Sequence, residues 1–123
     1  MGAALELMQR WFAKPDHSLY ADDVDFVVPG YPVPHERYHG RKAVAEEFFP
    51  ALRSHFSLWR AEPSEFIEAG DRVTVIGKYV ATTTAGTDLV IPFIHVWTVR
   101  NGAIASAVAA VDSAHFRRAG IGT

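Results

Sequence analysis

Ala4, Leu7, Met8, Trp11 and Phe12 recur at i, i+3, i+4, i+7 and i+8, the spacing that lines one face of an α-helix. Lys14-Pro15-Asp16 closes that helix, because proline pushes the residue before it out of helical geometry. Val24, Phe26 and Val28 then alternate as a short strand, stopped by Pro29-Gly30. The segment from Tyr31 to Tyr38 holds two further prolines and reads as an irregular loop. Gly40 opens a second helix with Val44, Phe48, Phe49 and Leu52 on its apolar face. After Pro50 the period shortens towards two. Strand runs are predicted at Leu58–Ala61, Phe66–Glu68, Arg72–Thr84, Leu89–Val99 and Ala103–Val111, separated by Pro63, Gly70-Asp71, Ala85-Gly86 and Asn101-Gly102. Helices first and antiparallel strands afterwards predict an α+β arrangement, with helices on one face of a curved sheet. Pro92 lies inside a run, so a bulge or an edge is expected there.

The last two runs carry candidate chemistry. Asn101-Gly102 between extended apolar stretches is a strong hairpin signal, since both residues tolerate positive φ. Such a hairpin puts two titratable groups, His95 and Asp112, on one largely apolar sheet. His95 shares its face with Ile91, Phe93 and Trp97, and falls opposite the middle of the last strand rather than opposite Asp112. Ala105, Ala107 and Ala109 put small side chains on every second residue. That leaves room for a closely packed helix or for a cavity. Val73 and Val75 point to one face and Ile76 and Val80 to the other. A sheet with one solvated face would alternate more cleanly, so a homodimer through the outer face is expected.

Composition narrows the classes. The 123 residues suit one domain, 1–123, with a single core. Hydrophobic residues make up 49% and charged residues 21% of the chain, which is globular rather than disordered. The net charge is −2 and the basic residues are scattered, so no nucleic-acid partner is expected. The chain has no cysteine, which excludes disulfides, thiolate metal sites and a cysteine nucleophile, and fits a cytoplasmic location. Met1 to Gln9 lack the basic start of a signal peptide. No apolar run approaches the ~20 residues that span a bilayer, so no membrane partner is expected. His35 and His39 have no acidic neighbours at ligand spacing, so neither a metal nor another cofactor is expected.

LMQRWF at Leu7–Phe12, LYADDVDFVVPG at Leu19–Gly30, YHGRKAVAEEFF at Tyr38–Phe49, HVWTVRNGAI at His95–Ile104 and VDSA at Val111–Ala114 resemble the nuclear-transport-factor-like superfamily and, within it, the SnoaL-like group. The resemblance implies a cone-shaped, strongly bent antiparallel β-sheet wrapped by N-terminal helices around a central pocket. It implies pocket walls at Trp11, Val28, Tyr31, Tyr38, Phe48, Tyr79, Phe93, Trp97 and Ala109, and a mouth near the 31–38 loop. The superfamily includes steroid isomerases, epoxide hydrolases, polyketide cyclases, dehydratases and transport factors, so fold alone does not give function.

Residue by residue, the isomerase pattern fails. Val28 stands where it places a general-base aspartate, Trp11 where it places a tyrosine, and His95 where it places a protonated aspartate. The epoxide hydrolase pattern keeps its terminal carboxylate as Asp112 but meets Gly77 and Tyr79 where it needs an arginine and a second aspartate. The cyclase pattern, with an acidic residue at the Asp112 position, fits better.

Two classes of function follow. One is a cofactor-independent cyclase, dehydratase or isomerase, with Asp112 and His95 as an acid/base pair on an apolar or polyketide-like substrate. The other is a non-catalytic module that binds a small apolar or aromatic molecule, or a dimerisation domain. Each candidate has a plainer role beside it. His95 reads equally well as a hydrogen-bonded structural histidine, and Asp112 as a helix N-cap.

Overall fold

The structure is a computed structural model and describes residues 2–121; Met1, Gly122 and Thr123 lie outside the described residues. The first helix, α1 (Ala3–Ala13), buries Ala4, Leu7, Met8 and Trp11 on the face that their spacing predicts. Its free N-terminal N–H groups are met by the Glu68 carboxylate, which accepts from Gly2 and Leu5 at 2.9 and 3.0 Å. After Pro15 a 3₁₀ turn (His17–Leu19) leads into β1 (Tyr20–Val27), which pairs antiparallel with the short β2 (Arg37–His39).

The second helix spans residues 41–53 and is numbered α2 here. It has an α turn (Arg41–Ala43), a π segment (Val44–Phe48) and a final α turn (Phe49–Arg53). In the π segment the Phe49 N–H bonds to the Val44 carbonyl five residues back. The wider turn lets the helix run through Pro50, whose ring would press on the carbonyl four residues back in a regular helix.

Strands β3 (Phe56–Ala69), β4 (Arg72–Thr83), β5 (Asp88–Arg100) and β6 (Ala103–Val111) form an antiparallel meander. The sheet order is β2-β1-β6-β5-β4-β3, and β1 joins β6 in parallel. This is the expected α+β fold with a curled, unclosed sheet. The runs at Leu58–Ala61 and Phe66–Glu68 are one strand rather than two. β3 continues past Pro63 through a register shift between Pro63 and Glu65, and a bulge absorbs the proline without ending the strand. Pro92 sits inside β5 at the point where β6 ends. Its carbonyl accepts the Asp112 N–H at 3.4 Å. Its missing N–H faces the same way, past the end of β6, where no ladder bond is lost.

The hairpin between β5 and β6 turns on Asn101 (φ 50) and Gly102 (φ 74), both left-handed as a tight two-residue turn requires. It pairs His95 with Ala109 and Trp97 with Ala107. A register shift beyond Thr98 makes Ala105 the extra residue and turns Ile104 into the core. The small-residue stripe facing inward therefore holds Ala107 and Ala109 but not Ala105. A final helix, α3 (Ala114–Arg118), buries Phe116 beside Trp59. No helix among the described residues is long and apolar enough to cross a membrane.

Candidate functional site

Between the inner face of the sheet and helices α1 and α2 lies a cavity of about 260 Å³. Its existence follows from the β5–β6 register. Each large side chain on β5, His95 and Trp97, faces an alanine on β6, so the sheet presents bulk on one strand and a recess on the next. Trp11 and Phe12 of α1, Phe48, Phe49 and Leu52 of α2, and Trp59 of β3 complete the walls. Phe48 and Phe49 are consecutive and both buried, at the π segment of α2, a feature that recurs at functional sites.

The buried inner end holds a polar cluster. The Tyr31 and Tyr79 hydroxyls are 2.6 Å apart, and Tyr79 Oη lies 2.7 Å from His95 Nε2. Tyr31 Oη is 3.2 Å from the same nitrogen. The Trp97 indole donates to His95 Nδ1 at 3.3 Å. An indole nitrogen can only donate, so Nδ1 is the acceptor and the ring proton of a neutral His95 sits on Nε2. Burial pushes the His95 pKa down to about 3, which keeps the imidazole neutral at physiological pH. Burial likewise raises the Tyr31 and Tyr79 phenols well above their usual range, so both stay protonated. Phe93 stacks on the outer side of the imidazole at 4.1 Å between centroids, which fixes the ring plane.

Of the residues expected at the site, Trp11, Val28, Tyr31, Phe48, Tyr79, His95, Trp97 and Ala109 line the cavity. Tyr38 and Phe93 are buried but stand behind the wall. Tyr38 Oη is turned away to accept the His35 N–H at 3.2 Å, and Phe93 supports His95.

Asp112 is outside the cavity and exposed. It follows the last residue of β6, and its carboxylate accepts the Ala114 N–H at 3.3 Å and lies 3.3 Å from His115 Nε2. The structure therefore does not bring Asp112 and His95 together; Asp112 stands one residue before the helix N-cap, Ser113, and accepts the first N–H of α3.

The mouth also differs from expectation. The exposed lining residues are Ala13, Pro15, Arg53 and Arg60, at the ends of α1 and α2 and on β3. The 31–38 loop instead closes the inner end, held by His55 Nε2 donating to the Pro32 carbonyl at 2.8 Å. Arg53 was not foreseen. Its signal was its place one turn after Phe49, whose ring its guanidinium covers at 5.5 Å. Phe12, Phe26 and Trp59 also line the cavity; their positions on core-facing periods were legible, but their adjacency came only from the packing. Among the described residues no His, Asp and Glu cluster is placed to hold a metal ion.

A model of the SnoaL-like domain matches residues 13–107. The chain belongs to the SnoaL-like family. No curated protein matches it significantly. Among solved structures, this SnoaL-like chain is similar to an NTF2-like protein of unknown function from Burkholderia pseudomallei K96243, at 27% identity and TM-score 0.83, covering 96% of this chain and 97% of that one. It is similar at 27% identity and TM-score 0.82 to TerC co-crystallised with polyporic acid, covering 95% and 97%. A candidate SnoaL-like polyketide cyclase from Jannaschia sp. CCS1 shares the fold at 13% identity and TM-score 0.78, covering 98% and 92%.

Among the described residues of this SnoaL-like chain no carboxylate lines the cavity. Val28 presents an alkyl group where the isomerase resemblance implies a base. Gly77 has no room for a longer side chain. A Cβ there would lie 2.5 Å from the Glu62 carbonyl and 2.8 Å from the Phe93 ring. The packing that fixes His95 through Phe93 thus excludes an arginine at that position.

Proposed function

We propose that this SnoaL-like protein binds a largely apolar, aromatic small molecule in the cavity. The observation that carries this reading is the lining itself. Aromatic and alkyl side chains form the walls, the Tyr31–Tyr79–His95 cluster with the Trp97 indole supplies a polar deep end, and none of the described lining residues is a carboxylate. Such walls reward burial of flat apolar surface. At the mouth Arg53 suits an acidic group on the outer end of the ligand, while Arg60 is already paired with Glu62 at 2.7 Å. TerC, co-crystallised with polyporic acid, supports the same class of ligand.

The test uses the chain's own reporters. All three tryptophans, Trp11, Trp59 and Trp97, line the cavity. Titration with polyporic acid should quench their fluorescence saturably. Unchanged emission, together with native mass spectra free of bound compound, refutes the reading.

A second reading is catalysis as a cofactor-independent cyclase, dehydratase or isomerase. The short Tyr31–Tyr79 and Tyr79–His95 contacts favour it, because they could hand a proton to a ligand oxygen. Turnover of a polyketide-like substrate, abolished in His95→Ala, would support it.

We also infer a homodimer through the outer face of the sheet. Val90, Ile94 and Val108 are each about half exposed there, and the register sets Ile94 beside Ile76 and Ala110, and Val108 beside Val96. A contiguous apolar patch of this kind is a typical protein contact surface. Light scattering after size exclusion should give twice the chain mass, and Ile94→Glu should return the monomer.

A further inference from the structure

The hydrogen atoms of the inner cluster do not balance. Trp97 Nε1, His95, Tyr79 and Tyr31 each bring one N–H or O–H proton to the chain of contacts that links them. The acceptor positions along that chain are His95 Nδ1, Tyr79 Oη and Tyr31 Oη. The Trp97 proton occupies Nδ1. The His95 Nε2 proton goes to Tyr79 at 2.7 Å rather than to Tyr31 at 3.2 Å. Either hydroxyl can donate along the 2.6 Å contact between them, and we assign that bond to the Tyr79 proton. The Tyr31 proton has no acceptor left, because Nε2 carries a hydrogen and the Tyr31–Tyr79 contact is already occupied. Protonating His95 adds a donor and deepens the excess. Both tyrosines line the cavity, so a ligand there can supply the missing acceptor. A buried donor without an acceptor is costly, at about 1–3 kcal/mol.

We propose that the cavity selects a ligand with a carbonyl- or enolate-type oxygen at its inner end, and that the Tyr31 hydroxyl is the group that donates to it. This rests on the binding reading above and adds the chemical class of the buried end. Tyr79, His95 and Trp97 act as positioning residues. They line up the donors in one direction, so that each hydroxyl or ring N–H is committed before the ligand arrives. Ala109, opposite His95 on β6, leaves the space beside them. An alcohol oxygen would accept one hydrogen but bring another of its own and leave the excess unchanged, while a carbonyl or enolate brings an acceptor alone.

The experiment compares fluorene with 9-fluorenone, which differ by a methylene against a carbonyl. Isothermal titration should show fluorenone binding about 3–10-fold tighter, the worth of one net hydrogen bond. Infrared spectra should show its carbonyl stretch at lower frequency when bound. In Tyr31→Phe the spare hydrogen passes to the Tyr79 hydroxyl, so the affinity ratio should fall and the bound carbonyl stretch should move from its value in the unsubstituted protein. In the double variant Arg53→Gln/Arg60→Gln the shift should remain, because those donors sit at the mouth. Equal affinity of the unsubstituted protein for the two probes, an unshifted carbonyl, a shift unchanged in Tyr31→Phe, or one lost in the arginine variant overturns the assignment while leaving cavity binding intact. Failure of both probes to bind overturns the binding reading and this inference with it. The infrared and arginine measurements stand even if Tyr31→Phe does not fold.

Discussion

Replacing Ala109 with leucine should stabilise the protein and abolish ligand binding, a combination that only a real cavity produces. Ala109 is buried, faces the cavity and pairs with His95 across the β5–β6 ladder. Leucine adds an isopropyl group to a space of about 260 Å³. Each buried methylene contributes about 0.8 kcal/mol, and leucine loses about 0.5–1 kcal/mol of rotamer freedom. The net gain is therefore roughly 1–2 kcal/mol. In a filled core the same change would overpack and cost about 1–3 kcal/mol. The two cases differ in sign, so the measurement does not depend on the accuracy of either figure. Guanidinium denaturation should show a higher midpoint with an unchanged slope, and the melting temperature should rise by about 2–8 °C. Polyporic acid titration should show no quenching. A loss of about 1 kcal/mol or more with quenching intact would refute the cavity.

Asp112→Ala should cost about 1 kcal/mol in urea denaturation through loss of the contact to the Ala114 N–H, and should leave polyporic acid affinity as it was; a tenfold loss of affinity would return Asp112 to the site. His95 gives a pH signature. Its folded pKa is depressed to about 3 from 6.5, so the unfolded chain takes up the proton first. The stability it supports is complete above pH 6.5 and is lost as pH falls towards about 3, by up to ~1.4 kcal/mol per pH unit. Between pH 7 and 5 the stability of His95→Gln should fall less steeply than that of the parent, and parallel slopes would contradict the assignment. Gly77→Ala should lower stability by about 1–3 kcal/mol, because its methyl meets the Glu62 carbonyl and the Phe93 ring; an unchanged denaturation midpoint would show that the neighbours give way.

Much of the fold was legible because local signals and tertiary demands agree. The Asn101-Gly102 turn starts the β5–β6 pairing at Arg100–Ala103, which alone would set His95 opposite Val108; the extra residue Ala105 moves it to Ala109, mid-strand as the hairpin implied and not at Asp112. The alternation around His95 placed it among Ile91, Phe93 and Trp97, all buried. What escaped the sequence was of two kinds. One was local geometry with no residue signature. The π segment at Val44–Phe48 and the bulge after Pro63 both absorb a proline, and period counting treats a proline as a stop. The other was side-chain direction at element ends. Asp112 lies one residue beyond β6, where the strand period no longer fixes a face, and the first free N–H of α3 draws its carboxylate outward. Tyr31 lies in a loop without periodicity. The family resemblance placed it at the pocket wall, but only the fold shows that it meets Tyr79 and His95, which come from separate strands.

The donor excess also sets the chemistry the cavity can perform. Catalysis by proton abstraction needs a group with an open lone pair and a suitable pKa. Among the cavity-lining residues the imidazole is the natural candidate, but the lone pair on its Nδ1 is taken by the Trp97 indole and its Nε2 carries the proton. Asp112, the only carboxylate singled out by sequence, is elsewhere. Tyr31 and Tyr79 are held protonated by burial, and Arg53 and Arg60 are cations. Under the binding reading proposed above, the protonated tyrosines and Arg53 suit negative charge on a ligand oxygen. A reaction that begins with an already acidic or ionised ligand fits this lining best. In that case the Tyr31 hydroxyl would hold the resulting enolate, and the aromatic walls would hold its geometry.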